Sequence, residues 1–515
     1  MTSTLPPRRS LAFLALLAVV MIVLSYAVIL LIAIACAGLP ILVLMKSQSL
    51  NGQLILLALC GLAMAGTMLW SLVPRRDKFE DPGPRIGPES HPRLFAELEK
   101  IAASLNGPLP AEVFLVPQLN AFVTDRGGIM GFGSRRVMGI GLPLVAVLNI
   151  AEFRDVLAHE FAHYYGGDTH LGPVVYKARQ AMIRTIQNMA SLGSAMRVAV
   201  AAILYRVVMW ILQGYWKVYF RATQLISRRQ EYRADELACH IAGAKALITG
   251  LKKIHSGAAA FPAYWNSEVV GFLNMGYRPA ITQGFELFVN APEISRQINE
   301  YLSKELVGEK TTPYDSHPPL RDRIAAAESY SGPEQDVSAQ LPARTLFNDL
   351  LGEEARILSM SGSEAEVAKL RIVDWDSLAE TLPKLWEESV RGRAELLGDA
   401  TPEDLPDLVP RLAEIGSKLP DPKGMLLTPD QRTGRAVELI GTALALAVAN
   451  AGWKLHMNPG ERYYEVDGGR FSVREFLGQL LANKVSREEW TDRCRRLKIA
   501  GVRLAGPKAS AAESS

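Results

Sequence analysis

From Leu11 to Met45 the chain carries no charged side chain. About 20 helical residues cross a bilayer core, so this stretch is long enough to span one, and a water-soluble fold has no ordinary place for it. Its basic opening, Arg8-Arg9, resembles a secretory leader. The apolar run is far longer than the roughly 7–15 residues of a leader and no early small-residue cleavage site interrupts it, which favours a retained anchor. A first span is expected over about residues 11–35, with Gly38-Leu39-Pro40 ending or kinking it. A second charge-free stretch, about residues 54–73, can cross back. Arg8 and Arg9 precede the pair and Arg75, Arg76 and Lys78 follow it, whereas Lys46 alone lies between. The positive-inside bias therefore predicts an inner or plasma membrane protein with both ends of the pair, and the domain after it, in the cytoplasm.

The rest of the chain reads as folded and soluble. Apolar residues make up 49% and charged residues 21%, which excludes wholesale disorder and falls short of a polytopic transporter. Fifty-six basic against 53 acidic side chains leave +3, so no nucleic-acid-binding field is expected. Four scattered cysteines make no disulfide framework, and a reducing compartment fits them. Breakers at Asp81-Pro82-Gly83-Pro84 separate an anchor, residues 1–78, from a domain at 79–330. In that domain His91 to Leu105 predicts an amphipathic helix, and 112–116, 121–123 and 137–140 predict strands of a small sheet. A polar, proline-containing passage at 331–343 opens a largely helical C-terminal region, 331–506. There Arg435 to Leu455 predicts a buried helix, residues 463–473 a hairpin, and Trp375, Trp386 and Trp453 core anchors. A Ser/Ala-rich tail, 507–515, is expected to be disordered. The expected class is mainly α with a small β-sheet.

The string His159-Glu160-Phe161-Ala162-His163 carries the chemistry. Phe153, Val156, Leu157 and Phe161 give the surroundings helical periodicity, so the two histidines project from one face on adjacent turns. Two imidazoles so placed hold one Zn²⁺, and Glu160 beside the first reaches a water that the ion would activate. A catalytic zinc takes three protein ligands, so a third lies downstream. Glu231 is a candidate, with Asp235 four residues on positioned to hydrogen-bond a ligand histidine. On spacing alone, an acidic pair on an Arg-rich helix reads equally as a solvated face.

Glu231-Tyr232-Arg233-Ala234-Asp235 together with the HExxH string resembles the HtpX and CAAX-prenyl-protease family of membrane zinc peptidases, gluzincins with a Glu-aromatic-x-Ala-Asp helix. Asn120-Ala121-Phe122, Ser316-His317-Pro318-Pro319-Leu320 and Arg323-Ile324 are further family-like elements. The likeness covers about residues 90–327 and extends loosely to the N-terminal apolar pair. It implies an α+β, zincin-like peptidase domain with one Zn²⁺ held by His159, His163 and Glu231. It also implies that the His317 loop reaches the active site, where His317 would steady the oxyanion, and that Asn120 and Arg323 lie at the substrate, unless Arg323 only anchors its loop. The chain departs from HtpX in lacking two clear spans between HExxH and Glu231. Because all three ligands must meet at one ion, the chain between them crosses the membrane an even number of times or not at all. The charged and aromatic residues of 196–220 predict a helix at the membrane surface or inside the peptidase domain.

The implied activity is a membrane-anchored zinc endopeptidase, with Glu160 as general base and polypeptides as substrates. Membrane proteins in quality control are the expected class, and the lipid bilayer is a second partner. A CAAX-processing peptidase is an alternative, as is a chaperone or scaffold with a vestigial zinc site. Oligomeric state and cleavage specificity are not encoded legibly.

Overall fold

The computed structural model describes residues 12–47, 52–73, 77–128, 133–164, 172–195, 199–308, 317–334, 337–421, 427–466 and 469–506. The tail at 507–515 and the flanking Arg8, Arg9, Arg75 and Arg76 lie outside them. The fold is mainly helical with small sheets. It divides into two compact units, Met1–Phe261 with Ile298–Ala368, and Pro262–Gln297 with Lys369–Ser515.

The first unit opens with α1 (Ala12–Lys46) and α2 (Gly52–Leu72), both long and apolar enough to cross a membrane. Instead of stopping near residue 35, α1 runs through Pro40. Proline removes the hydrogen bond that the carbonyl four residues earlier would accept, here Cys36. At that carbonyl α2 presents Gly61, where a Cβ would lie only 2.1 Å from the Cys36 oxygen, so the backbones meet where the helix has lost a bond. Leu31, Ile34 and Leu39 of α1 and Leu59 and Trp70 of α2 are exposed, an apolar surface suited to lipid.

The peptidase region begins with β1 (Arg85–Ile86), α3 (Pro92–Ser104), β2 (Glu112–Val116), β3 (Ala121–Arg126) and β4 (Arg135–Gly141). The sheet order is β1-β2-β4-β3, with β2 parallel and β3 antiparallel to β4, so β3 is an edge strand. The last two strands are longer than expected. After α4 (Leu142–Val147), α5 (Ile150–Ala162) starts on a capping box between Asn149 and Glu152. Its Phe153, Leu157, Ala158 and Phe161 join Leu98, Ile101, Met138 and Ile140 in one core.

Next come α6 (Gly172–Ala195), α7 (Ala199–Ala242) and α8 (Ala244–Tyr264). Residues 196–220 thus mostly begin a 44-residue helix rather than form a separate surface element. Met182 and Met189 of α6 and Val208, Met209 and Leu212 of α7 share a core with Ile29, Ala33, Met64 and Met68 of the apolar pair. Tyr215 and Ser25 hydroxyls lie 3.0 Å apart, and Asn188 donates to Ser71 Oγ. On the open side α7 exposes Ile203, Val207, Trp210, Ile211 and Val218.

The boundary expected at 331 falls inside this unit, which continues to Ala368. The polar passage reads as a linker, but its backbone completes the start of α5: Ile150 N–H donates to Leu341 C=O and Ala343 N–H to Leu148 C=O. Phe347 packs on Phe153, with ring centroids 6.3 Å apart, and buried His91 accepts from the Asn348 amide and faces Glu353.

In the second unit, helix Pro429–Asn450 buries Leu439, Ile440, Ala443, Leu444 and Val448. It stops at Asn450, short of the expected Leu455, because Gly452 turns the chain at φ +91° into strand Lys454–Asn458. That strand pairs with Glu461–Val466, which pairs with Gly469–Phe471 in the expected hairpin. Trp375 and Trp386 are buried, and the Trp453 indole donates to Leu497 C=O. Pro262–Gln297 belongs here through strand Tyr277–Pro279, which runs parallel to Arg371–Val373.

Glu97 ties α3 to α5. Burial alone would raise its carboxyl, but hydrogen bonds from Lys100 and Arg154 outweigh burial and hold it below the ordinary range. A depressed folded-state pKa contributes stability above the unfolded value, lost as pH falls through the folded one. Glu97→Gln should therefore destabilise the detergent-solubilised chain by about 1–3 kcal/mol at pH 7. Thermal unfolding should show that gap closing as pH falls below the ordinary carboxylate range, where wild-type Glu97 itself takes up a proton.

Candidate active site

Helix α5 delivers His159 and His163 from consecutive turns, their rings 4.9 Å apart and perpendicular. Helix α7 crosses beside it, with Ala234 and Ala238 buried against Ala158 and Ala162 in the shared core. Residues this small let the backbones approach closely, which a short carboxylate side chain needs to reach across. Glu231 does so: Oε2 lies 3.5 Å from His159 Nε2 and Oε1 lies 3.6 Å from His163 Nε2. The donor atoms of His159, His163 and Glu231 all fall within 4.8 Å of one another. Two imidazole nitrogens and one carboxylate oxygen suit zinc.

Behind the imidazoles, His159 Nδ1 faces Asp235 Oδ1 at 2.9 Å, leaving Nε2 toward Glu231. Asp235 is fully buried and takes both hydrogen bonds of the Arg323 fork, Nε at 2.8 Å and Nη2 at 2.5 Å. Arg323, expected as a substrate contact, is thus buried and spent on holding Asp235. Of the two positions the resemblance left open, the geometry matches the anchoring one. His317 is half open to solvent, its Nδ1 2.8 Å from Glu231 Oε2. Ser316 and His170 lie outside the described residues. Asn120 is exposed just before β3. His255 pairs with Glu305, and His456 with Glu465 and the Tyr463 ring.

The electrostatics follow from burial and these partners. Burial disfavours a charged His159, but Asp235 and Glu231 outweigh it and push the ring up to about 10. His163 is driven down to about 4 by burial and by the charge on His159. Burial also opposes ionisation of Glu231, yet hydrogen bonds with His159 and His317 hold it far below its usual range. One proton therefore sits among two imidazoles and a carboxylate, an arrangement that a single cation would satisfy instead. Glu160 is pushed up to about 7 by burial and by the Glu231 charge, opposed by His159 and by a backbone hydrogen bond from Val123.

Two residues were passed over in the sequence. Asp155 lies one turn before His159, is buried, and leaves Oδ1 without a hydrogen-bond partner. Burial, and then the charge of Asp235, raise it well above the ordinary range. An acid amid the apolar periodicity of α5 was its only signal. Tyr164, directly after the second histidine, donates from its hydroxyl to Val123 C=O at 2.8 Å.

Residues 88–331 match the model of Peptidase family M48. That stretch belongs to the family. The chain is similar to Protease HtpX of Idiomarina loihiensis, 25% identical over 263 residues, covering 49% of this chain and 87% of the relative. It is likewise similar to a Protease HtpX homolog of Arthrobacter sp., 24% identical over 253 residues (47% and 74%), and to one of Aquifex aeolicus, 29% identical over 194 residues (35% and 60%). No solved structure matches. The M48 region is that of a metallopeptidase acting on polypeptides, in a chain whose two apolar helices fit a membrane protein.

His159 Nδ1 lies 2.9 Å from Asp235, so if that contact orients the ring, Asp235→Asn should weaken zinc binding by about 10–100-fold, with circular dichroism checking that the chain is still folded. Competition against a fluorescent chelator measures this. Unchanged affinity would show that His159 needs no such partner.

Proposed function

We propose that this chain is a membrane-anchored zinc endopeptidase whose metal ligands are His159, His163 and Glu231 and whose general base is Glu160. The convergence of those three donors from two helices, within 4.8 Å, carries the reading. Zinc held there supplies a Lewis acid that polarises the scissile carbonyl and acidifies water at neutral pH. Glu160 takes the proton of the attacking water and hands it to the leaving amine, a transfer worth about 10²–10⁴-fold. Without metal, burial and the Glu231 charge raise its carboxyl to about 7. His317, exposed beside Glu231, is read as donating to the oxyanion. Asp235 and Arg323 hold His159 in orientation.

Substrate lies extended along β3, whose outer edge pairs with no strand among the described residues. Arg136 of β4 gives its carbonyl to Ala111 on the β2 side. By alternation, its β3 partner Asp125 and, two residues apart, Val123 and Ala121 turn their amides and carbonyls to the open edge. Main-chain pairing there accepts varied sequences, with Asn120 at one end of the track.

The domain reading is an anchor at 1–78, a peptidase domain extending to about Ala368, and a second unit that draws in Pro262–Gln297. The basic flanks of the apolar pair favour a cytoplasmic peptidase domain. The α6–α7 hairpin, packed on that pair with an apolar outer face, is read as reaching the bilayer. Such a site beside the membrane suits membrane proteins as substrates, in quality control.

Glu160→Gln should keep one zinc per chain yet lose cleavage of casein or a membrane-protein substrate by at least about 100-fold. Metal analysis and a gel assay in detergent, with and without chelator, check this. Full activity in the variant would remove Glu160 from the mechanism.

A further inference from the structure

The open edge of β3 is occupied beside the metal ligands. Val123 is the middle of the three residues whose backbone groups face outward, and both of its groups are engaged. Its carbonyl accepts the Tyr164 hydroxyl at 2.8 Å, and its amide lies on the Glu160 side, where it lowers that carboxyl. Tyr164 is held in place from its own side. The Arg136 guanidinium lies 4.2 Å from the ring centroid, and Arg136 pairs at 3.7 Å with Asp125, the next outward-facing residue of the same edge. The Tyr164 amide donates to Phe161 C=O, so the ring extends from the end of α5 back over β3. A peptide adding as a strand needs the Val123 carbonyl for one of its own amides. A carbonyl has two lone pairs, but a hydroxyl donor seated on this one at the open edge stands where an incoming amide would arrive.

We propose that Tyr164 is a specificity-determining residue that competes with the substrate backbone for the Val123 carbonyl and so lowers the advantage of a peptide that donates an amide at that register over one that cannot. This rests on strand addition to β3, as proposed above. No bond is made or broken beyond the exchange of one hydrogen-bond donor for another. The competing bond raises KM for every peptide. It also softens the loss for a peptide that lacks the amide there, because Tyr164 then keeps the carbonyl satisfied.

The test uses the full chain in detergent with zinc bound and a fluorogenic decapeptide spanning a cleavage site mapped in casein. Tyr164→Phe removes only the hydroxyl. KM should fall by about two- to tenfold, the weight of one neutral hydrogen bond, with kcat changed by less than about twofold. A depsipeptide series, each amide NH replaced in turn by an ester oxygen, supplies the second readout. One position should cost more in Tyr164→Phe than in the wild type, since Val123 is then left unpaired. A KM that is unchanged or higher in Tyr164→Phe, with one ester position costing both enzymes equally, would overturn the competition and leave strand addition standing. No sensitive position in either enzyme would overturn strand addition itself, and this proposal with it.

Discussion

The close approach of α5 and α7 is the constraint on which the rest of the structure depends. Ala158 and Ala162 on one helix and Ala234 and Ala238 on the other are all buried in a common core. A larger residue at these buried positions would need space that the close-packed core does not offer. The α5 start is fixed separately, by the Asn149–Glu152 box and by the ion pair from Lys253 to Glu152 at 2.7 Å. Packing thus sets the distance between the histidines and Glu231, and the cap sets the angle at which α5 arrives.

Around that seam the protein buries an unusual amount of charge. Asp155, His159, Glu231, Asp235 and Arg323 are all largely removed from solvent. Buried ion pairs contribute little net stability, because desolvation offsets most of the attraction. What the Asp235–Arg323 fork supplies is direction: it takes up Asp235, which in turn faces His159 Nδ1 and leaves the other nitrogen toward the centre. Burial lowers both imidazoles, but Asp235 and Glu231 outweigh it at His159 and not at His163, while burial and the Glu231 charge raise Glu160 to about 7. The metallopeptidase chemistry of the M48 stretch and the geometry of these side chains therefore point the same way.

Much of this was legible in the sequence because the signals are local. Charge-free runs marked α1 and α2, short apolar runs between Gly-rich connections marked β2 to β4, and the HExxH spacing placed two histidines on one helix face. The features that escaped depend on contacts between distant segments. Pro40 reads as a helix end unless Gly61 is known to sit against the freed carbonyl. The passage at 331–343 reads as a linker until its backbone is seen completing the start of α5. Pro262–Gln297 looks continuous with the helices before it, yet strand Tyr277–Pro279 pairs with Arg371–Val373. Arg323 and Tyr164 look like surface residues in a string of letters, and only the fold shows that Asp235 and Val123 lie within their reach.

The most direct test is X-ray absorption at the zinc edge of the full chain loaded with one equivalent of metal, beside Glu231→Ala. The account predicts a shell of two imidazoles with carboxylate and solvent oxygens in the wild type, and loss of tight binding in the variant. A sulfur-containing shell, or a Glu231→Ala protein that holds zinc as tightly with an unchanged spectrum, would contradict it.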